Sequence, residues 1–118
     1  MPNVTFTLLV LKSRQLEKLL AFYSALGLEF VDEKHGNGPQ HFSAKLKDVI
    51  LELYPIMDDA APVDATTRLG FSVPDVAHVV GALKSLGIAI TIGPQQTQWG
   101  YHAVTHDPDG RTVEICQH

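Results

Sequence analysis

The chain has 118 residues, 45% of them hydrophobic and 19% charged, with a net charge of −4. That is the size of one domain or two small modules, with the composition of an ordinary globular protein. No basic run favours nucleic acid or an anionic membrane, no apolar stretch approaches a membrane span, and the single Cys116 excludes an intramolecular disulfide and multi-cysteine zinc motifs.

At the start, MPNVTFTLLVLKSR carries no basic n-region before its apolar run and no small-residue cleavage site after it, so a cytoplasmic location is expected. Thr5–Leu11 reads as a buried strand. Ser13 is a candidate N-cap, and Leu16, Leu19, Leu20, Tyr23 and Leu26 recur at helical spacing until Gly27 ends the helix. Leu28–Lys34 is extended, and His35-Gly36-Asn37-Gly38-Pro39 is a loop of turn residues. In Gln40–Lys47, Phe42, Ala44 and Leu46 alternate with His41, Ser43 and Lys45. Val49–Pro55 is a further strand, with Ile50, Glu52 and Tyr54 on one face.

The acidic stretch Met57–Asp64 lacks apolar periodicity and reads as a linker, after which the pattern restarts. Arg68–Val73 is a strand, Asp75 an N-cap, and Val76, Val79, Val80, Leu83 and Leu86 a helical stripe stopped by Gly87. Ile88–Gly93 is extended, Pro94–Gly100 is turn-rich and carries Trp99, and Tyr101–His106 is a strand. Asp107-Pro108-Asp109-Gly110 fits a type I turn. The last strand, Thr112–Cys116, puts Thr112, Glu114 and Cys116 on one face.

This is an internal repeat. Ala25-Leu26-Gly27-Leu28 matches Ser85-Leu86-Gly87-Ile88 at an offset of 60 residues, and Leu51-Glu52-Leu53 matches Val113-Glu114-Ile115 at an offset of 62. Each half reads β-α-β-β-β, and the two glutamates are expected to be structurally equivalent. The expected organisation is one α+β domain over 1–118, with modules at 4–57 and 66–117 and a linker at 58–65.

The residues that characterise this arrangement are Phe22-Tyr23 with Leu26-Gly27-Leu28, Leu51-Glu52-Leu53, Leu69-Gly70-Phe71-Ser72-Val73-Pro74-Asp75, Trp99-Gly100, and Asp107-Pro108-Asp109-Gly110 with Val113-Glu114-Ile115. In this order and spacing the chain resembles the vicinal oxygen chelate superfamily, which includes glyoxalase I, extradiol dioxygenases and bleomycin-resistance proteins. The resemblance implies a curved mixed sheet from the two modules, helices on the convex side and a pocket on the concave side. It also implies that Glu52 and Glu114 face that pocket, where the family's enzymes hold a divalent metal between first and last strands.

Both last-strand ligand positions are filled, and both first-strand positions have changed. The first falls on Phe6 or Leu8, neither of which binds a metal; the second falls on Arg68, which has donors only. Two carboxylates facing one pocket need a partner, and Arg68 can bridge one or both. The expected site is therefore metal-free, with no cofactor: apolar walls from Phe6 and Leu8, a charged trio of Glu52, Arg68 and Glu114, and aromatic edges from Trp99 and Tyr101. The function expected from the resemblance is binding of a small organic molecule, as in the bleomycin-resistance class, by a homodimer. The alternative is a metal-dependent lyase or isomerase of the glyoxalase class using Glu52 and Glu114.

Among the six histidines, His102 and His106 share a strand face and with His41 form a second candidate ligand set. The plainer expectation leaves His35, His41 and His106 solvated, since no local ligand spacing joins them. No G-x-S-x-G elbow favours a serine nucleophile.

Overall fold

A computed structural model describes residues 3–118. The order is β1 (Leu8–Ser13), α1 (Leu16–Ala25), β2 (Phe30–Glu33), β3 (His41–Leu46), β4 (Val49–Pro55), β5 (Leu69–Val73), α2 (Val76–Ser85), β6 (Ile90–Thr97), β7 (Gly100–His106) and β8 (Thr112–Gln117). They make two four-stranded mixed sheets, β1-β4-β3-β2 and β5-β8-β7-β6, in each of which the first strand runs parallel to the last. The α+β class and the duplicated β-α-β-β-β order are as expected. No helix among the described residues is long and apolar enough to cross a membrane.

Local chemistry sets most boundaries. Both helices stop where glycine takes positive φ, Gly27 at 109° and Gly87 at 80°, a conformation that costs other residues dearly. The Asp75 carboxylate accepts the His78 N–H at 3.0 Å, capping α2. Ser13 does not cap α1. It ends β1, and its Oγ accepts the Gln15 N–H at 3.0 Å before the helix begins.

Two strands depart from expectation. Thr5–Leu11 is not a buried strand: β1 starts at Leu8, and only alternate residues are covered, with Leu11 buried and Leu8 and Val10 open to solvent. An all-apolar run looks like a two-sided strand, but here only one face meets helices. The turn-rich reading of Pro94–Gly100 is also wrong. β6 runs through Pro94 to Thr97, its register against β7 shifting around Gly93-Pro94, and the turn shrinks to Gln98-Trp99. Proline is tolerated there because β6 is an edge strand with a bulge.

One core serves both modules. Leu19, Phe22 and Tyr23 of α1 join Val76, Val79, Val80 and Leu83 of α2 over Leu11, Leu51, Leu53, Leu69, Val113 and Ile115 of the sheets. A polar clasp reinforces it. Arg111 is fully buried, its guanidinium bonded to Asp107 at 3.1 Å and donating to the Lys12 carbonyl at 2.9 Å. Asp107 also accepts the Tyr23 hydroxyl at 2.8 Å, and Gln15 donates to Asp109 at 3.0 Å. The Asp107–Gly110 turn, closed by Gly110 N–H on the Asp107 carbonyl at 2.9 Å, thus ties the second module to β1 and α1 of the first. Burial opposes the Arg111 charge, but the Asp107 hydrogen bond and charge outweigh it and raise the pKa. Burial, then the Asp107 charge, raises the Tyr23 phenol far above its ordinary value.

Candidate functional site

Each sheet packs one face on the helices and leaves the other open. Neighbours in register share a face, so the register identifies the open residues. In the first sheet Val10 lies beside Glu52, and Glu52 beside Ser43; in the second Gly70 lies beside Glu114, and Glu114 beside Val104. The two glutamates are therefore equivalent, as the repeat implied. Two residues upstream on each first strand, Leu8 is the counterpart of Arg68. Register thus selects Leu8, not Phe6, as the first-strand position.

The set Leu8, Glu52, Arg68 and Glu114 does not fit a metal ion. Leu8 has no donor atom, and Arg68 Nε donates to Glu114 Oε2 at 3.0 Å, occupying that carboxylate with a fixed positive charge. That hydrogen bond, then the Glu114 charge, raises the Arg68 pKa. Arg68 engages Glu114, while Glu52 turns to another partner. The expected buried trio is not assembled in a single chain, for the Arg68 side chain is 64% exposed and Glu114 44%.

The other expected residues divide. Phe6 and Arg68 line one cleft of ≈ 460 Å³ with Leu46, Val49, Gly70 and Phe71, a size that suits a small organic ligand. Leu9, Leu51 and Leu69 of the core also line it. Leu8 shares its sheet's open face with Glu52. Trp99, 79% exposed, sits in the β6–β7 turn, where its carbonyl receives the Cys116 thiol at 3.6 Å. Tyr101 lies on the opposite face of β7 from His102 and Val104, which share Glu114's face, and packs partly buried against the core.

Sequence reasoning missed the surroundings of His41. Instead of being solvated, His41 is 1% exposed. Its ring stacks on Tyr54 at 4.1 Å and lies 5.1 Å from the His35 ring. Its Nδ1 meets the Pro39 carbonyl at 3.2 Å, while Nε2 lies 3.3 Å from Tyr54 Oη, 3.5 Å from Glu33 Oε1 and 3.8 Å from Glu52 Oε2. Desolvation first, then the charges of Glu52 and Glu33, raises the Tyr54 pKa. The alternation along β3 was a signal for His41 facing Glu52; the β2–β3 loop folding over it was not. His102 and His106 lie in the other sheet, so the three-histidine set is not formed.

The family model for the Glyoxalase/Bleomycin resistance protein/Dioxygenase superfamily matches residues 6–115. No curated protein matches in sequence. Among solved structures, the antibiotic binding protein TnmS3 from Streptomyces sp. CB03234 is 25% identical, with a TM-score of 0.73 over 99% of this chain and 98% of that one. A glyoxalase/bleomycin resistance protein from the same organism is 26% identical, with a TM-score of 0.69 over 96% of this chain and 100% of that one. The lactoylglutathione lyase of Agrobacterium tumefaciens is 20% identical, with a TM-score of 0.66 over 99% and 96%, a likeness of fold alone.

Proposed function

This chain belongs to the glyoxalase/bleomycin resistance protein/dioxygenase superfamily, and from that premise we propose that it binds a small organic molecule without using a metal at the family's ligand positions. The observation that carries this reading is the replacement of the second first-strand ligand by Arg68, tied to Glu114, beside an open cleft. Phe6 supplies an apolar wall, and Arg68, held by Glu114, supplies hydrogen-bond donors for a polar, planar ligand. The likeness to an antibiotic binding protein along nearly the whole chain supports a natural product of that kind as ligand.

A homodimer belongs to the same proposal. The open face of the first sheet presents Leu8, Val10, Val31 and Ile50, each more than a third exposed. Their apolar area, set around Glu52 and Ser43, costs about 25 cal/mol per Å² while it stays in water, and a second copy would cover it. Light scattering at micromolar chain concentration should give twice the chain mass; a monomer would refute the dimer.

Isothermal titration calorimetry should show metal-free bleomycin or a related planar antibiotic binding saturably, and Arg68→Ala should weaken it while leaving the fold intact. Metal-dependent isomerisation of a hemithioacetal, lost in both Glu52→Gln and Glu114→Gln, would instead establish the enzyme reading.

A further inference from the structure

We propose that Glu33, His35 and His41 form a divalent transition-metal site of the zinc type at the β2–β3 end of the first sheet, distinct from the family's ligand positions. Their ligand atoms lie within 4.8 Å of one another.

The argument begins with the His41 tautomer. The Pro39 carbonyl can only accept, so Nδ1, 3.2 Å away, carries the proton. In the neutral ring Nε2 is then a lone pair. An imidazole N–H anchored on a backbone carbonyl, with the other nitrogen presented outward, is how proteins orient a metal-binding histidine. The Tyr54 stack and near-complete burial hold the ring in place. Nε2 lies 3.3 Å from the Tyr54 hydroxyl, 3.5 Å from Glu33 Oε1 and 3.8 Å from Glu52 Oε2. A cation placed there would satisfy the nitrogen lone pair and the Glu33 carboxylate together.

Spacing is consistent with this. Zinc bonds of ~2.0–2.1 Å in a tetrahedron separate adjacent ligand atoms by roughly 3.4 Å, close to the 3.5 Å between His41 Nε2 and Glu33 Oε1. His35 is exposed on the loop that folds over His41 and needs only a small swing to close the set. Two imidazoles and a carboxylate suit zinc, nickel or cobalt better than magnesium or calcium, which prefer oxygen. Water completes the shell. The second module lacks the arrangement: His102 occupies the place of His41, but Gln95 stands beside it instead of Glu33 and Cys116 instead of Tyr54.

The test uses tag-free, chelator-stripped full-length protein titrated with Co²⁺ and then Zn²⁺. One Co²⁺ per chain should bind with the intense visible bands of four-coordination, and Zn²⁺ should displace it. Loss of a mere outer partner weakens metal binding about 10–100-fold, so His35→Ala and Glu33→Gln should each weaken it at least tenfold. Both side chains have solvent access and can change without endangering the fold. His102→Ala and Glu114→Gln should leave binding unchanged. Absence of binding at micromolar Co²⁺ or Zn²⁺, survival of binding in both His35→Ala and Glu33→Gln, or its loss in Glu114→Gln would overturn the site.

Discussion

The two modules share a backbone plan and almost none of its open-face chemistry. Glu52 and Glu114 occupy equivalent places, and so do His41 and His102. Around them Leu8 faces off with Arg68, Val10 with Gly70, Glu33 with Gln95 and Tyr54 with Cys116. The first module buries its histidine against carboxylates and shows an apolar surface. The second has an exposed ion pair. The connections differ too: β3 and β4 meet through the short Lys47-Asp48 turn, while the longer Asp107–Arg111 turn holds the clasp between modules. Duplicated strands conserve what the core needs, which is the inward-facing set, and leave the outward set free to diverge into different sites.

The comparison of turns predicts the largest effect. Removing the Asp107 carboxylate leaves Arg111 buried without its main partner, so Asp107→Ala should cost about 3–5 kcal/mol in urea unfolding. Asp48→Ala, in the exposed turn of the other module, should stay within about 0.5 kcal/mol. Similar losses at both would erase the asymmetry.

Tyr23 carries the clasp into the first module, and Tyr23→Phe should cost about 1.5–3 kcal/mol through its bond to a carboxylate. Its pKa is raised by burial and by the Asp107 charge. The unfolded phenol ionises near pH ~10 while the native one stays protonated, so this contribution is complete below that pH and is lost as pH rises beyond it. Alkaline spectrophotometric titration should show one tyrosine ionising only as the protein unfolds, and Tyr23→Phe should remove that component.

Lys47 sits at φ 45°, a left-handed conformation that a glycine takes without strain. Lys47→Gly should raise stability by roughly 0.5–1 kcal/mol, the strain relieved exceeding the added chain entropy; a fall in the urea midpoint would contradict this. The smallest effect is expected at Arg68. Exposed ion pairs contribute little, so at concentrations that keep the chain monomeric Arg68→Ala should unfold at the wild-type midpoint. A shift that emerges only at high concentration would mean that a second copy covers the pair.

Much of the fold was legible along the chain because its determinants are local. The Leu-Gly helix ends, the Asp75 cap, the DPDG turn and the alternation in β3, β4 and β8 each depend on a few consecutive residues, and the repeat exposed Glu52 and Glu114 as equivalents. Whatever depended on partners far along the chain was not legible. Pairing of β1 with β4, some forty residues away, chose Leu8 over Phe6. The one-sided packing of the first sheet turned an apolar run into an open face. The register of β7 against β8 set Tyr101 against the core and His102 on the opposite face. His41 is buried because a loop folds back and Tyr54 of another strand stacks on it, and Arg111 because α1 and β1 of the other module close over it. Periodicity states that a side chain has two faces to choose between; only the layer that covers one of them decides which is inside, and that layer comes from elsewhere in the chain.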